Sequence, residues 1–346
     1  MKLLSEVRQS VLDFLNLEKK QHIVIVADDD EDGITSALQT KHYFEHNTQN
    51  VRVLFSDKTD LEKKSFVGLV EKFSPEIIVF LDLSEELVLD HMTQTKSNAR
   101  ILVIDHHPDI DGVQIENSLI IKPRLFSNTN SSSYPTTKIV FDLFNECSRF
   151  AAIGVIGDSA LEEWRKFVEK AAIDNGTTVD ELVELSQMIR CIISTHRAKS
   201  ADLFNFLYTK PSLGQIKKSE FYKLKEAFQK KLESERKRFA KDKEPHGNII
   251  FFETKKSLPS PLSNILSREN DETIVIYSKS DFIKGSVRCG GKRVNCGKMI
   301  KYAIRNSSAT GGGHAPAGGF ACPASNWEEF KKRAIKFVTS GKSFSI

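Results

Sequence analysis

The stretch HIVIVADDDEDG (residues 22–33) joins an apolar, β-branched run to a cluster of acidic residues that ends in a glycine. A short apolar run of this kind predicts a buried strand, and the residues from Gly33 to about Phe44 have the pattern of a helix. Further elements are predicted along the chain: strands at 51–55, 76–82, 100–105 and 118–122, and helices near 60–73 and 85–95. Strand–helix alternation predicts a parallel sheet that is covered on both faces.

The chain downstream of this sheet divides into a helical part and a second α/β part. The pattern from about 135 to 195 is mainly helical, and the charged segment 217–241 predicts a long helix that ends before Pro245. The last part has its own predicted strands at 248–254, 273–278 and 282–289, and helices near 261–268, 295–305 and 325–338. We therefore predict an α/β protein with a Rossmann-like parallel-sheet domain (1–195), a helical connector (196–246) and a smaller α/β domain (247–346).

Composition indicates a soluble protein with a substantial hydrophobic core. The 346 residues are 40% hydrophobic and 28% charged, which is the balance of globular proteins. Apolar residues between Leu3 and Leu15 recur at helical spacing and predict an amphipathic helix rather than a signal peptide. Because no apolar run approaches the ~20 residues of a membrane span, we expect a cytoplasmic protein that does not use a membrane.

Cysteines and net charge give weaker indications. The five cysteines form no CxxC pair, so we expect reduced thiols and neither a zinc site nor a disulfide framework. A net charge of +4 neither requires nor excludes a nucleic-acid partner. Basic residues outnumber acidic ones between Lys217 and Lys243, which fits either a solvated helix with Glu/Lys pairs or a track for a polyanion.

Three of the predicted strands run directly into acidic residues or histidines. The residues at these strand ends are Asp28, Asp30 and Asp32, then Asp82, then Asp105, His106 and His107. In an open parallel sheet the carboxyl ends of the strands form one crevice, where ligands bind. We therefore expect these side chains to meet at one edge of the sheet. Asp158, in AAIGVIGDSA (151–160), is a further acidic candidate because its glycine-bearing segment lets the backbone come close to the sheet, with a helix cap as the alternative.

Clustered carboxylates repel one another unless cations compensate their charge. Oxygen ligands with a histidine suit Mn²⁺ or Mg²⁺ better than Zn²⁺. Two such cations can hold the attacking and leaving oxygens of a phosphoryl displacement, and they lower the pKa of water so that hydroxide becomes the nucleophile. The predicted cofactors are therefore two divalent cations, with Mn²⁺ preferred and Mg²⁺ as the second choice.

A glycine-rich tract near the end of the chain, TGGGHAPAGGF (310–320), suggests a site for an anion. The tract contains three consecutive glycines, Gly311, Gly312 and Gly313. Such a run allows a concave row of backbone N–H groups, to which the N-terminus of a following helix would add. His314 and Arg288 can bind a phosphate through charge-assisted hydrogen bonds. For the glycines alone, a flexible loop is the alternative.

Six short segments resemble the motifs of a known family. The first four resemble motifs of the DHH phosphoesterase superfamily: DDDEDGITSA (28–37), FLDLS (80–84), VIDHHP (103–108) and GVIGDSA (154–160). The other two, GSVRC (285–289) and GGGHAPAGGF (311–320), resemble its DHHA1 domain. The D-x-D-x-D-G form at 28–33 is similar to RecJ-like exonucleases, and the modest length is similar to short archaeal RecJ-like proteins. Nano-RNases and phosphoadenosine phosphatases typically have a histidine-led variant of this motif.

The resemblance implies roles for individual residues. The metal ligands would be Asp30, Asp32, Asp82, His106 and Asp158, together with Asp28, where several relatives have histidine. Asp105 and His107 would orient ligands or contact the scissile phosphate. A substrate phosphate would be held by Arg288, Gly311, Gly312, Gly313 and His314. The chain departs from the family after this histidine, because it reads HAPAGG where relatives often have HPGAAG.

The activity that the resemblance implies is a Mn²⁺- or Mg²⁺-dependent exonuclease on single-stranded DNA or RNA. Two alternatives stay open. One is a small-substrate phosphodiesterase for short oligonucleotides or phosphoadenosine phosphate, with the same catalytic centre. The other is a non-catalytic replication scaffold, a role known in RecJ relatives with decayed metal motifs. The expected partners are single-stranded nucleic acid or short oligonucleotides, and a replication or repair protein such as a helicase. The motifs decide neither polarity, DNA or RNA preference, nor oligomeric state.

Overall fold

The apolar run that starts at His22 forms a buried strand, as its β-branched residues predict. In β1 (His22–Asp28), Ile23 and Ile25 belong to one buried apolar cluster, and Val24 and Val26 belong to another. Because successive side chains of a strand point to opposite faces, both faces of the sheet around β1 are covered by apolar groups. This burial is expected of a strand inside a parallel sheet.

The structure is a computed structural model, and it describes residues 1–18, 20–46, 50–56, 61, 63–95, 97–108, 114–256, 259–290 and 294–340. The chain divides into two compact units, Met1–Lys225 and Glu226–Ile346. The domain limits predicted at 195 and 246 stay a prediction. Within the described ranges, no helix combines the length and hydrophobicity that crossing a membrane requires.

The first unit contains the predicted strand–helix alternation. Its strands are β1, β2 (Asn50–Ser56), β3 (Ile77–Leu81), β4 (Arg100–Ile104) and β5 (Ser118–Ile121). Its helices are α1 (Leu4–Leu15), α2 (Glu31–Glu45), α3 (Lys64–Glu71), α4 (Glu85–Met92), α5 (Thr136–Phe144), α6 (Ser148–Gly157), α7 (Arg165–Asp174), α8 (Val179–Thr195), α9 (Ser200–Tyr208) and α10 (Leu213–Lys218). The helix predicted near 60–73 is α3, and residues 60 and 62 of that prediction lie outside the described residues.

The sheet of the first unit has the strand order β2-β1-β3-β4-β5, and each neighbouring pair is parallel. On one face, Val70 of α3 and Val88 of α4 pack in the cluster that contains Val24 of β1. On the other face, Ile34 of α2 and Ile139 of α5 pack in the cluster that contains Ile25. The predicted parallel sheet with both faces covered is therefore confirmed.

The second unit is a smaller α/β structure, as predicted, and its sheet is mixed. The helix α11 (Glu220–Asp242) begins in the first unit and ends in the second. The remaining elements are β6 (Glu244–His246), β7 (Ile249–Glu253), α12 (Pro259–Glu269), β8 (Thr273–Ser278), β9 (Phe282–Cys289), α13 (Cys296–Ala303), β10 (Thr310–Gly313), β11 (Ala317–Pro323) and α14 (Trp327–Thr339). The strand order is β10-β11-β9-β8-β7-β6, with β7 and β8 parallel and the other pairs antiparallel. Met299 of α13 and Phe330 of α14 pack in one apolar cluster of this unit, and Leu262 of α12 packs in a second.

The part of α11 that lies in the second unit is rich in ion pairs. Arg238 contacts Glu235 at 2.9 Å and Asp242 at 3.2 Å, and Arg236 contacts Glu269 at 2.8 Å. The pairs Arg236–Glu269 and Arg238–Asp242 are typical of a solvated helix with alternating charges, whereas Glu235 is buried and also accepts the backbone N–H of Lys255. Of the two interpretations of this segment, these contacts favour the solvated helix.

The glycine-rich tract differs from its predicted form. Thr310–Gly313 is an extended strand, and it pairs antiparallel with β11 from Gly311↔Phe320 to Gly313↔Gly318. The chain therefore makes a hairpin here, and the segment that follows the tract is a strand rather than the expected helix. Glycines accommodate this pairing because a side chain on Gly318 would overlap Ile300 of α13 and the backbone of Gly312.

The cysteines also differ in part from expectation. Cys289 at the end of β9 and Cys296 at the start of α13 are paired as a disulfide, whereas Cys147, Cys191 and Cys322 are free. Both paired residues hydrogen-bond through their backbone N–H groups to the same short segment, at Pro316 and Ala315. Because that segment brings the strand end and the helix start together, spacing along the sequence could not reveal the pair.

Candidate metal centre

The strands of the first sheet end at the same level. Ala27 of β1 is paired in register with Leu81 of β3, Leu81 with Ile104 of β4, and Ile104 with Ile121 of β5. The residues that follow these four are Asp28, Asp82, Asp105 and Lys122. Parallel register therefore delivers three carboxylates and one ammonium group to one edge of the sheet.

The acidic loop after β1 continues into α2. Asp30 caps this helix, because its carboxylate accepts a hydrogen bond from the backbone N–H of Gly33 at 2.9 Å. Gly33 must be a glycine in this conformation, since a Cβ there would overlap the backbone carbonyl of Asp28. The tight turn places Asp28 and Asp30 on the same side of the helix start as Asp82, with one carboxylate oxygen of each within 4.8 Å of the others.

Asp32 connects α2 to α5. Its two carboxylate oxygens accept the backbone N–H groups of Thr136 and Thr137, each at 2.7 Å. The hydroxyl of Thr136 donates to Oδ1 of Asp82 at 3.1 Å. Thr136 and Thr137 are the first residues of α5, where backbone N–H groups have no partner inside the helix. The start of α5 therefore orients two of the candidate ligands.

Asp158 reaches the cluster from the end of α6. The predicted close approach of its glycine-bearing segment is made to helices rather than to the sheet. A Cβ on Gly154 would overlap the side chains of Thr35 in α2 and Thr137 in α5. Asp158 is the C-cap residue of α6, and its side chain also belongs to the acidic cluster. The two interpretations of this residue are therefore compatible.

His106 lies in the middle of the acidic cluster. Its Nε2 is 3.4 Å from Oδ1 of Asp82, and its Nδ1 is 3.7 Å from Oδ2 of Asp158. Nδ1 also lies 3.3 Å from the carbonyl oxygen of Ser131. A hydrogen bond from Nδ1–H to that carbonyl leaves Nε2 as the nitrogen suited to a cation.

The candidate ligands form overlapping groups. Among the described residues, three sets of side chains bring one ligand atom each to within 4.8 Å of one another: Asp28, Asp30 and Asp82; Asp32, His106 and Asp158; and Asp82, His106 and His107. Asp82 and His106 each belong to two of these sets. All six residues predicted as metal ligands are therefore brought together in the first unit, and their role as ligands stays a proposal.

Asp105 is paired with His107, which also belongs to one of these three sets. Nδ1 of His107 is 2.7 Å from Oδ1 of Asp105, whose other oxygen lies 3.0 Å from the Nζ atom of Lys122. Burial by itself raises the pKa of Asp105, but the hydrogen bond and charge of His107 and the charge of Lys122 outweigh it, and the net pKa is lowered. Asp105 is therefore an anion with two partners.

Three other acids of the cluster, Asp32, Asp82 and Asp158, have pKa values shifted in the other direction. Burial, followed by the neighbouring carboxylates Asp158 and Asp30, raises the pKa of Asp32 well above its usual value. The pKa of Asp82 is raised well above its usual value by burial and then by Asp32 and Asp30. Burial raises the pKa of Asp158 to about 7, with Asp30 adding to the shift. Massed acids of this kind hold protons unless a cation replaces them.

The donor set fits divalent cations. It consists of carboxylate oxygens and imidazole nitrogens, and the described residues place no cysteine in any of the three sets. Oδ2 of Asp158 is buried and has no hydrogen-bond partner within the described part of the chain, which is costly without a counter-charge. Oxygen ligands with a histidine are suited to Mn²⁺ or Mg²⁺.

The predicted phosphate-binding residues lie in the second unit. Arg288 is in β9 next to the hairpin, where its register partner is Ala317. Its Nε atom is buried and has no hydrogen-bond partner among the described residues. The backbone N–H of His314 donates to the carbonyl of Ala317 at 2.8 Å, and the His314 side chain is exposed. These residues and Gly311 to Gly313 therefore share one end of the sheet.

Models of two protein domains match the chain. The DHH family N-terminal domain matches residues 22–163, and the DHHA1 domain matches residues 249–340. The chain belongs to the DHH family. The first match contains every predicted metal ligand, and the second contains Arg288 and the glycine-rich hairpin. Membership supports a hydrolase at the general level.

Solved DHH structures have the same fold. A manganese-bound exonuclease RecJ is 17% identical, has a TM-score of 0.71, and the match covers 100% of this chain and 96% of that chain. The Mn²⁺ complex of RecJ from Thermus thermophilus is 16% identical with a TM-score of 0.69, and the match covers 97% of this chain. The chain spans 55% of the length of that RecJ.

A third similar structure is a pGpG-specific phosphodiesterase, PggH from Vibrio cholerae. It is 15% identical and has a TM-score of 0.56, with 93% of this chain and 100% of that chain covered. At these identities the likeness concerns the fold alone. No curated protein matches the sequence significantly.

Some residues that orient the DHH site were not identified from the sequence. Lys122 follows β5 directly, so the rule that strand ends deliver functional groups applies to it as well. Thr136 lies in the part predicted to be helical from about 135, and nothing in the local sequence indicated its contact with Asp82. Arg190 of α8 donates to the carbonyl of Gly157 at 2.6 Å and pairs with Glu31, and nothing in the local sequence indicated this contact.

Proposed function

We propose that this DHH protein is a two-metal phosphodiesterase that removes nucleotides from the end of single-stranded DNA or RNA. The observation that carries the proposal is the overlap of the three donor sets in Asp82 and His106. Two cations that act on one phosphate lie close together, so one carboxylate can bind both, and Asp82 is the carboxylate that belongs to two of the three sets.

The residues of the first unit divide into two roles in this proposal. The candidate ligands Asp28, Asp30, Asp32, Asp82, His106 and Asp158 hold two divalent cations, with Mn²⁺ preferred and Mg²⁺ accepted. When bound, the cations polarise the phosphodiester and lower the pKa of water. Asp105 holds the imidazole of His107, which meets the scissile phosphate and stabilises its charge through a hydrogen bond.

In this proposal, residues of the second unit bind a phosphate of the substrate. Arg288 has a buried Nε donor with no partner among the described residues, and burial together with the nearby charge of Arg268 lowers its pKa. A phosphate would relieve both conditions, because it accepts guanidinium hydrogen bonds and carries the opposite charge. Gly311, Gly312, Gly313 and His314 are proposed to bind the same phosphate from the neighbouring hairpin.

A small-substrate phosphodiesterase is the second candidate. The likeness to the pGpG-specific phosphodiesterase covers that whole chain, and the chain spans only 55% of Thermus thermophilus RecJ, whereas the match to the other manganese-bound RecJ covers 96% of that chain. The same centre would serve both activities, because the chemistry at the phosphodiester is the same. The difference lies in how many nucleotides are bound beyond the scissile bond.

The test is degradation of end-labelled single-stranded DNA and RNA of ~20 nucleotides, long enough to occupy a single-strand binding track, beside the dinucleotide pGpG. Each substrate is assayed with Mn²⁺, Mg²⁺ or EDTA, using the wild type, Asp82→Ala, His106→Ala and the surface control Asp180→Asn. The proposal expects metal-dependent release of mononucleotides from the long substrates by the wild type and the control only. Cleavage of pGpG alone would support the second candidate. Inactivity on all substrates with both cations would refute both, and would favour a scaffold role.

A further inference from the structure

Lys122 is a buried cation beside the candidate centre, one residue beyond β5. Its side chain is 2% exposed, and its Nζ atom is 3.0 Å from Oδ2 of Asp105, whose side chain is 0% exposed. Glu85 at the start of α4 lies 3.6 Å from the same ammonium group. Removing one partner of a buried ion pair leaves an uncompensated charge, so Lys122 and Asp105 depend on each other.

The ammonium group also contacts the main chain that carries the histidines. Nζ of Lys122 donates to the carbonyl oxygen of His107 at 2.9 Å and lies 3.5 Å from that of Pro108. An ion pair that only compensated charge would not need these contacts. Lys122 therefore ties down both the side chain of Asp105 and the backbone that follows it.

Asp105 transmits this constraint to an imidazole. Its Oδ2 faces Lys122, and its Oδ1 is 2.7 Å from Nδ1 of His107. A carboxylate that is held on one side presents its other oxygen in one direction, which sets both the ring orientation and the nitrogen that is protonated. Because Nδ1 is engaged with Asp105, contact with a substrate phosphate falls to Nε2.

We propose that Lys122 is a positioning residue, which fixes the imidazole of His107 for the phosphodiester reaction by holding the Asp105 carboxylate and the carbonyl of His107. The kinetic part of this inference rests on the proposed function. The structural part concerns the Lys122–Asp105–His107 chain alone and can be measured without any substrate.

Lys138 provides a matched control. Its side chain is 7% exposed, and its Nζ atom lies 2.5 Å from Asp142 and over the ring of Trp164 at 4.5 Å. It is therefore a second buried lysine in an ion pair, and its ammonium group is engaged with a different carboxylate from that of Lys122. Lys122→Met and Lys138→Met remove the same charge from comparable surroundings.

The first measurement is the ¹H–¹⁵N spectrum of protein with labelled histidine, in EDTA at pH 8, with His107 assigned from the variant His107→Gln. The wild type and Lys138→Met should show a protected Nδ1–H signal for His107. In Lys122→Met this signal should be lost through exchange with water. If it remains as sharp as in the wild type, Lys122 does not hold His107 and the inference is wrong, whatever the enzyme acts on.

The second measurement is steady-state kinetics on the substrate found active for the wild type. Lys122→Met should lower kcat by about 10- to 100-fold, the range for residues that orient ligands, while KM and the Mn²⁺ concentration for half-maximal activity change less than about threefold. Lys122→Arg, which keeps the charge, should recover most of kcat. In an Asp105→Asn background, Lys122→Met should have little further effect, because the two residues act in one chain.

Three kinetic outcomes would contradict the inference. The first is an unchanged kcat in Lys122→Met, and the second is an equal loss of kcat in Lys138→Met. The third is a double variant, Lys122→Met with Asp105→Asn, in which the two losses of kcat multiply. Failure of the proposed function would appear differently: the wild type would be inactive, but its spectrum would still show the protected Nδ1–H signal of His107.

Discussion

Oδ2 of Asp32 accepts a hydrogen bond from the backbone N–H of Thr136 at 2.7 Å, across 104 residues of sequence. Its other oxygen accepts the N–H of Thr137 at the same distance. A carboxylate at the start of a helix satisfies N–H groups that otherwise have no partner. Asp32 is therefore a structural residue of the α2–α5 contact as well as a candidate metal ligand.

This dual role predicts that Asp32→Ala destabilises the metal-free protein. Two buried N–H groups at the start of α5 would lose their acceptor, which costs about 1–3 kcal/mol. Urea unfolding in EDTA at pH 7.5 measures the change. Asp32→Asn is the control, because its amide oxygen can still accept one of the two bonds, and it should lose less. Equal stability of Asp32→Ala and the wild type would show that the contact contributes nothing.

Asp82→Asn should have the opposite effect on the same measurement. Asp82 is buried among carboxylates that raise its pKa, and its backbone has a φ of 61°, a conformation that asparagine tolerates well. Removing its ionisable group relieves repulsion, so the metal-free protein should gain about 1 kcal/mol. Mn²⁺ should raise the Tm of the wild type and not that of the variant. Equal Mn²⁺ shifts for both proteins would mean that Asp82 is not a ligand.

Gly154→Ala should destabilise the protein and weaken Mn²⁺ binding. A methyl group at this position overlaps Thr35 and Thr137, so α6 must move away from α2 and carry Asp158 with it. Overpacking of this kind costs about 1–3 kcal/mol. Gly68→Ala in α3 is the matched control, since nothing lies within 4 Å of a Cβ there, and it should stabilise the helix by about 0.5–1 kcal/mol. Thermal unfolding and Mn²⁺ titration test both variants.

Arg288→Ala should raise KM for the oligonucleotide about 10-fold or more, because a charge-assisted contact to phosphate contributes roughly 1.5–3 kcal/mol. Arg288→Lys should recover only part of the loss, since an ammonium group lacks the paired donors of a guanidinium. Lys284 lies on the same strand and is exposed. The variant Lys284→Ala therefore controls for the loss of one positive charge. If Lys284→Ala raises KM as much as Arg288→Ala, the site near the hairpin is not specific.

Acid should weaken the fold through His42. Burial, followed by the charge of Lys210, lowers the pKa of His42 to about 4, and its ring stacks on Tyr208 with centroids 4.2 Å apart. In the unfolded chain, His42 binds a proton near pH 6.5, whereas in the folded chain it does so only near pH 4. The contribution of His42 to the free energy of unfolding is therefore fully present above about pH 6.5 and is lost as the pH falls towards 4.

The corresponding measurement compares the free energy of unfolding at pH 7.5 and pH 5 in EDTA. The wild type should lose about 1 kcal/mol more than His42→Phe over this interval, after allowance for partial exposure of the ring. The substitution His246→Phe at an exposed histidine should leave the pH dependence as it is in the wild type. An identical pH dependence for His42→Phe would refute the assignment.

Some features of the site follow from local sequence because they depend on one strand at a time. Apolar runs with β-branched residues predicted β1, β3 and β4, and the polar residues that follow each run are the ones found at the sheet edge. Parallel register then brings Asp28, Asp82 and Asp105 to one level. Strand–helix alternation was sufficient to predict the fold class, and the repeated pattern of strand, then acid, was sufficient to predict that these three side chains meet.

Other features depend on contacts between distant segments. The hairpin form of Thr310–Gly313 arises from pairing with β11, and the hydrogen bonds of Asp32 require the start of α5 to lie beside α2.

The sequence by itself determined the two α/β units and the candidate ligands, since hydrophobic periodicity and residue type are local properties. Only the tertiary structure decided that Lys122, Asp105 and His107 form one chain of contacts, because that arrangement depends on the packing of separate strands, which no local pattern records.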